Sequence, residues 1–283
     1  MVRRSMLFSP GDRPEFMRKA PDSGADSVIF DLEDAVAPAR KADARETVHE
    51  VLTDPAFDPD CEVCVRLNPS LLEEELSVLL DGDPRVDTFV LPKVESAADV
   101  ERVAAALDDY GSDCGLVTLA ETARGVLHAE AVADADRVEG IIFGSEDLSA
   151  DVGATPSADG DELLYARQHV VLATSAADVD AIDTVYTDIE DREGLAADTR
   201  RGIDLGYDGR IAIHPAQVPV INEAFTPEPD EVEWAERVLA AAEEAEAAER
   251  GVFRVDGEMI DAPLVRRAER VVERASAAGG VDE

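Results

Sequence analysis

Lysine is scarce in this sequence. Only Lys19, Lys41 and Lys93 occur among 26 basic residues, whereas 64 residues are acidic, so the 283-residue chain has a formal net charge of −38. A surface this negative repels nucleic acid and anionic membranes, and we therefore exclude both as partners. Many acids with almost no lysine indicate a protein kept in solution by concentrated salt, where screening is strong. We infer a halophilic source, with an ordinary acidic protein as the alternative.

Signals for membrane insertion, secretion and zinc binding are also missing. No run of about 18 apolar residues occurs, which predicts no transmembrane helix. No apolar segment follows Arg3 and Arg4 as a secretory signal requires, so we expect a cytoplasmic protein. Cys61 and Cys64 have CxxC spacing, but no second pair or histidine pair follows them. Buried apolar thiols are therefore favoured over a zinc site for the three cysteines.

Short runs rich in β-branched residues alternate with helical patterns along the chain. This alternation is typical of βαβ units and a parallel sheet, and eight repeats in about 250 residues predict a TIM (β/α)8 barrel. An open doubly wound sheet is the rival, but no GxGxxG fingerprint follows an early strand. We assign 1–225 to the barrel and 226–283 to a C-terminal helical extension. The predicted strands are 3–9, 27–32, 62–67, 87–92, 115–120, 138–144, 181–186 and 209–214.

Acids and bases concentrate where the predicted strands end, which is where TIM barrels place their active sites. Glu121 and Asp147 follow adjacent strands, so their carboxylates can meet over the barrel mouth. Two carboxylates with room for water and substrate oxygens suit Mg²⁺, although each acid is otherwise simply solvated or ion-paired. The polar residues at strand ends are Asp31, Glu33, Asp34, Arg66, Asn68, Lys93, Glu121, Ser145, Glu146, Asp147, Asp188 and His214.

Four of the basic residues allow two interpretations each. Arg66 forms a structural salt bridge or donates hydrogen bonds to an oxyanion. Lys19 and Lys41 follow early strands, where phosphates of a CoA carrier would need positive charge, but three lysines must fall somewhere by chance. His214 is a base at the barrel rim or the cap of a loop.

Ten short motifs run in order across almost the whole chain, and together they are far more specific than any one alone. They resemble the citrate lyase beta-subunit-like family, which includes malyl-CoA lyases and citramalyl-CoA lyases. The motifs are RRSMLFSPGDRP, GADSVIFDLEDAV, KADAR, VRLNP, LPKVES, LAETARG, FGSEDLSADVGA, DTVYTDIEDREGL, LGYDGRIAIHPAQV and DGEMIDAP.

The resemblance implies a TIM barrel that assembles as a trimer or a multiple of it, such as a hexamer. It implies Mg²⁺ on Glu121 and Asp147, and stabilisation of a thioester enolate by Arg66. Asp261 of the DGEMID segment would act as acid/base in a neighbouring subunit's site, which makes that segment an active-site lid. The CoA contacts implied by the resemblance fall on Phe8, Lys19, Arg40, Lys41 and Arg45.

The implied reaction is retro-aldol cleavage, or its reverse, of a 3-hydroxyacyl-CoA such as malyl-CoA, methylmalyl-CoA or citramalyl-CoA. Mg²⁺ would chelate the oxo-acid half, and backbone N–H groups would hold the substrate carboxylate if a helix starts after strand six. A thioesterase on the same site and the beta subunit of a citrate lyase complex with an acyl-carrier partner are the alternatives; a pyruvate aldol reaction without CoA is more distant. The expected substrate contacts are Arg66, Glu121, Gly144, Ser145, Glu146 and Asp147.

Overall fold

The computed structural model describes residues 2–157, 159–247 and 251–279. The chain forms two compact units, the first ending at Ile221 and the second beginning at Asn222. This division lies slightly before the boundary that we placed after residue 225. Within the described ranges, no helix is long and apolar enough to cross a membrane.

The first unit is a barrel of eight parallel strands, which confirms the predicted TIM-barrel fold. The strands pair in chain order, and the barrel closes where Met6 of the first strand pairs with Ile211 of the last. The strands are β1 Ser5–Pro10, β2 Ser27–Asp31, β3 Glu62–Arg66, β4 Thr88–Leu91, β5 Gly115–Ala120, β6 Val138–Phe143, β7 Asp180–Asp183 and β8 Gly209–Ala212.

Each strand of the barrel is followed by at least one helix. The sequence that predicts a helix over 96–111 forms one from Ala97 to Asp109, and the stretch 162–179 forms one from Leu164 to Ala177. The helices are α1 Pro14–Met17, α2 Lys41–Leu52, α3 Leu72–Leu79, α4 Ala97–Asp109, α5 Ala123–Leu127, α6 Ala129–Ala133, α7 Ser145–Val152, α8 Leu164–Ala177, α9 Arg192–Leu205 and α10 Val218–Phe225.

The barrel interior is filled by apolar side chains from alternate strand positions, as the two-residue period of a strand dictates. Each fully buried aliphatic side chain contributes about 1.5–3 kcal/mol of transfer free energy. Cys64 also lies in the barrel interior, whereas Cys61 and Cys114 are only partly buried. The expectation of buried thiols therefore holds for one of the three cysteines. The interior residues are Met6, Ile29, Cys64, Val90, Val117, Leu119, Ile142, Ile182 and Ile211.

Ion pairs around Arg3 close the amino-terminal end of the barrel. The Arg3 side chain is 4% exposed, and its guanidinium donates to Glu62 at 2.7 and 2.9 Å and to Asp180 at 2.8 Å. Removing one partner would leave a buried charge without compensation, which is strongly destabilising. This end of the barrel therefore carries charge for stability, while the opposite end carries the site.

The second unit consists of α11 Pro229–Ala247, a hairpin of β9 Phe253–Val255 and β10 Glu258–Ile260, and α12 Ala262–Ala277. Asp256 and Gly257 both have positive φ angles, of 50° and 88°, as a two-residue hairpin turn requires. The predicted apolar face of the last helix is confirmed, and it packs on α11 and the hairpin of its own unit. Its residues are Leu264, Val265, Ala268, Val271 and Val272.

One buried carboxyl group gives the barrel a pH-dependent stability. Glu75 of α3 is 1% exposed, and one of its oxygens accepts a hydrogen bond from the Asn68 amide at 2.7 Å. Burial raises the pKa of Glu75 from 4.5 to about 7. A raised folded-state pKa means that this group's stability contribution is complete below pH 4.5 and is lost as pH rises through about 7.

The free energy of unfolding of the wild type is therefore expected to fall by about 3 kcal/mol between pH 4.5 and about 7 because of Glu75, and Glu75→Gln should abolish this fall. Gln keeps the shape of the side chain but has no proton to lose. The measurement is denaturant unfolding at several pH values and constant ionic strength, with Glu73→Gln on the exposed face of the same helix as control. Identical pH profiles for wild type and Glu75→Gln would show that Glu75 does not titrate in this range.

Candidate active site

The register of neighbouring strands brings the predicted site residues together at the carboxyl end of the barrel. Asp31 at the end of β2 pairs with Arg66 at the end of β3. Ala120 at the end of β5 pairs with Phe143 at the end of β6. Glu121 and Gly144 are the next residues along, so they too are neighbours.

These strand ends enclose a recess with a volume of about 90 Å³. Its floor is apolar and its rim is polar, so a charged substrate group placed there would meet fixed partners rather than bulk water. Arg66, Glu121, Gly144, Ser145, Glu146 and Asp147, the predicted substrate and metal contacts, all line it. Phe8, Leu119, Ile142, Phe143, Thr184, Val185 and Ile211 complete the wall.

Glu121 is the most constrained acid of the recess. It is 2% exposed, and its Oε1 accepts a hydrogen bond from the Lys93 amide at 2.6 Å. Burial raises the pKa of Glu121 to about 8 despite that hydrogen bond, and repulsion from Asp147 and Glu33 adds to the effect. A bound cation would balance this negative charge, so the residues present fit Mg²⁺.

The number of protein ligands also fits this ion. Among the described residues, no group of three or more His, Cys, Asp or Glu side chains is placed to hold a metal. Mg²⁺ commonly uses only one or two carboxylates and completes its octahedral shell with water and substrate oxygens. Glu121 and Asp147 would supply the two carboxylates.

Helix α7 begins at Ser145, directly after β6, which is where a carboxylate-binding helix start was predicted. Glu146 and Asp147 lie in its first turn and are exposed. Gly144 precedes the helix, and a Cβ atom there would lie 2.5 Å from the Glu121 Cβ. Any residue larger than glycine at position 144 would therefore collide with Glu121 beside the start of the helix.

Arg66 is buried and held on three sides. Its Nε and Nη2 donate to the two Asp31 carboxylate oxygens at 2.7 and 2.5 Å, and Nη1 lies 3.2 Å from Glu33. The Phe8 ring packs 4.7 Å from the guanidinium carbon. The structural salt bridge thus exists, but the bidentate pair uses only two of five N–H donors. Donors remain for an oxyanion, so both roles are compatible.

The sequence places Asp31 and Glu33 at a strand end without indicating their roles, and it gives no specific indication of Thr184. Asp31 also accepts hydrogen bonds from the amides of Glu33 and Ala35, at 2.8 and 2.9 Å, which fixes the loop around Arg66. Thr184 Oγ1 accepts from the Ser145 amide at 3.2 Å and fixes the start of α7. The polar position at the end of a strand was the available signal for all three residues.

The predicted CoA contacts are dispersed. Phe8 lines the recess, and Lys19 is exposed on the segment after α1. Lys41 Nζ donates to the carbonyl oxygens of Leu32 and Glu33, at 2.9 and 2.7 Å, so part of its hydrogen-bonding capacity supports the loop after β2. Arg40 lies 3.1 Å from Asp12, and Arg45 lies 3.6 Å from Glu74. Contact of these groups with CoA stays a prediction.

His214 does not line the recess. The His214 Nδ1 accepts a hydrogen bond from the Ala216 amide at 3.1 Å and caps a short helical turn, which favours the loop-cap interpretation over that of a base. Asp261 is exposed and precedes α12 in the second unit. In the hairpin strand β10, which directly precedes Asp261, Ile260 is buried whereas Met259 is 61% exposed.

A closed parallel barrel with carboxylates and a fixed arginine at the carboxyl ends of its strands defines a TIM-barrel enzyme. Residues 4–215 match the family model described as HpcH/HpaI aldolase/citrate lyase. The chain belongs to this family, which confirms the resemblance read from its motifs.

Relatives of the chain extend over nearly its whole length. It is 36% identical to the citrate lyase subunit beta of Leuconostoc mesenteroides subsp. cremoris, over 99% of this chain and 96% of that one. It is 34% identical to the mitochondrial citramalyl-CoA lyase of Homo sapiens, over 97% and 86%. It resembles the crystal structure of CitE from Mycobacterium tuberculosis with magnesium, acetoacetate and coenzyme A, with a TM-score of 0.79, 37% identity and coverage of 97% and 98%.

Proposed function

We propose that this chain is a Mg²⁺-dependent carbon–carbon lyase that cleaves, or forms, the C2–C3 bond of the acyl chain in the CoA thioester of a small 3-hydroxy acid. The observation that carries the proposal is one recess in which a buried carboxylate, Glu121, faces a fixed arginine, Arg66. The named activity of the citramalyl-CoA lyase relative and the magnesium and coenzyme A of the CitE structure support it. Malyl-CoA, methylmalyl-CoA and citramalyl-CoA are the proposed substrates.

The reaction breaks the bond between C2 and C3 of the acyl chain. The C3 hydroxyl loses its proton and becomes the carbonyl of a 2-oxo acid, while the bonding electrons pass to the thioester as an enolate, which is then protonated at C2. Arg66 donates hydrogen bonds where the enolate charge develops, and Asp31 keeps its guanidinium in place. When bound on Glu121 and Asp147, Mg²⁺ would polarise the carboxylate and hydroxyl oxygens of the oxo-acid half.

A panel of hydroxyacyl-CoA esters incubated with Mg²⁺, with products identified by mass, tests this proposal. A 2-oxo acid together with a shortened acyl-CoA is the expected product pair. Free CoA with an intact hydroxy acid would instead identify a thioesterase. The similarity to citrate lyase subunit beta favours one further alternative, in which the substrate is covalently attached to an acyl-carrier protein instead of CoA. Activity with a carrier-bound substrate and none with CoA esters would select it.

We further propose that Asp261 acts as acid/base in the site of a neighbouring subunit of a trimer or hexamer. The apolar face of α12 does not support this assembly, because it is covered within its own unit. Support comes from the exposed pair Met259 and Asp261, since an exposed methionine beside a carboxylate suits a segment that is covered on assembly.

Complementation tests the shared site. Asp261→Ala and Arg66→Ala subunits are each expected to be inactive, and mixing them after dissociation should restore part of the activity, because some interfaces then pair an intact Arg66 with an intact Asp261. Activity is compared before and after mixing, and mass measurement of intact oligomers verifies that mixed species form. Mixed oligomers without activity would mean that each subunit uses its own Asp261 or none.

We also propose that the acidic surface is an adaptation to salt. With 38 more acidic than basic residues, self-repulsion in dilute buffer opposes the compact state. The melting temperature is expected to rise steeply as KCl increases from about 0.1 M to above about 2 M, where the Debye length falls to roughly 3 Å or less. Sucrose is the uncharged control. Full stability in dilute buffer would contradict this proposal.

A further inference from the structure

Lys93 occupies the turn between β4 and α4 in a backbone conformation that lysine rarely adopts. Its φ angle is 55°, in the left-handed region where glycine is favoured. Non-glycine residues persist there only when the surrounding structure fixes them. The side chain is therefore retained against a local backbone preference, and it is one of only three lysines in the chain.

Two contacts of Lys93 connect it to the two charged groups of the recess, to Glu121 directly and to Arg66 through Glu33. Its backbone amide donates to Glu121 Oε1 at 2.6 Å. Its ammonium donates to Glu33 Oε1 at 2.5 Å, and the other oxygen of Glu33 lies 3.2 Å from Arg66 Nη1. Glu33 is 6% exposed, so this carboxylate depends on its two cationic neighbours for compensation of its charge.

We propose that Lys93 is a positioning residue that sets Glu121 and Arg66 relative to each other: its amide fixes the carboxylate, and its ammonium, acting through Glu33, fixes the guanidinium. The inference rests on the proposed lyase function for its kinetic consequences, because only there does the placement of Arg66 determine the rate. The placement itself is a property of the folded chain.

The chemistry of the side chain explains why lysine suits this position. Arg66 is already committed to Asp31 through a bidentate pair, so Glu33 needs a compact partner on its other oxygen. An ammonium supplies a point charge on a flexible stem, whereas a second planar guanidinium would impose its own fork geometry. Lys93 thereby balances Glu33 and limits how strongly Glu33 attracts Arg66.

Three substitutions separate the contributions of Lys93. Lys93→Gly keeps the amide and suits the positive φ angle but removes the ammonium. Lys93→Met removes the ammonium and keeps the length of the side chain. Lys93→Arg keeps the charge. Arg102→Met, which removes a positive charge from the exposed side of α4, is the matched control.

Both variants without the ammonium are expected to lose roughly 10- to 100-fold in kcat, because small misplacements of a catalytic group have effects of this size. KM for the CoA ester should change by less than about threefold, since Arg66 acts on charge that develops during the reaction. Lys93→Arg should recover part of kcat, and Arg102→Met should match wild type. The double variant Lys93→Met/Glu33→Gln should be no slower than the slower single variant, because the two residues act along one path.

A raised KM with unchanged kcat would make Lys93 a contact for the CoA group and overturn the inference. Independent effects of the Lys93 and Glu33 substitutions would also overturn it. Crystal structures of wild type and Lys93→Met give a readout that needs no activity: the Arg66 guanidinium is expected to shift towards Glu33. If the wild-type chain cleaves no ester of the panel, the proposed function fails, while this displacement still decides the inference. An unmoved guanidinium contradicts it whatever the activity.

Discussion

Replacing Glu121 by Gln is expected to reduce kcat by about 10³-fold or more, because the metal ion contributes several kcal/mol of transition-state stabilisation in reactions of this kind. Calorimetry should show weakened Mg²⁺ binding. In the absence of Mg²⁺, however, the same substitution is expected to raise the melting temperature. Burial raises the pKa of this carboxyl to about 8, so ionisation of Glu121 destabilises the folded protein. The neutral amide of Gln has no such cost.

The opposite signs of these effects distinguish a functional carboxylate from a structural one. Asp147→Asn should lose activity similarly but gain little stability, since Asp147 is exposed. Glu101→Gln on the exposed face of α4 is the control for both measurements. Added Mg²⁺ should raise the melting temperature of wild type and not that of Glu121→Gln. A Glu121→Gln variant with near wild-type turnover would exclude Glu121 as a metal ligand.

The fold was predictable because the periodic pattern of the strands is strong and local. The run 115–120 matches β5 at both ends, since Gly115 enters the strand and a charged residue follows it. The predicted strand 181–186 extends too far, because β7 ends at Asp183. The Asp183 carboxylate forms buried ion pairs with Arg167 and Arg210. Ion pairs between residues that are distant in the sequence have no local signal that would reveal them.

The site was predictable in part, for a topological reason. Consecutive strands of a parallel barrel are neighbours, so residues that follow β5 and β6 must meet, as Glu121 and Gly144 do. The network of Asp31, Glu33 and Lys93 could not be derived in the same way. It depends on the left-handed turn at Lys93 and on the rotamers of three side chains, which only the packed loops determine.

Arg66→Lys is expected to lower kcat by about 10²–10³, the usual effect of losing one preorganised oxyanion donor. Lysine retains the charge but lacks the planar fork, so it cannot make the two parallel bonds to Asp31 that fix the guanidinium. The remaining point charge would be free to move towards Glu33 and away from the substrate. KM for the CoA ester should change little, because the lost interaction forms mainly as the enolate charge develops.

The matched control is Arg85→Lys, which alters an arginine–carboxylate pair with Asp87 that precedes β4, away from the carboxyl ends of the strands. This variant tests whether loss of a guanidinium in itself reduces activity. Asp31→Asn provides the complementary change: it leaves Arg66 intact but removes the charge that holds it, so kcat should fall while the guanidinium is still present. If Arg66→Lys and Arg85→Lys turned over at the same rate as wild type, Arg66 would be a structural ion pair, and the enolate would require a different donor in the recess.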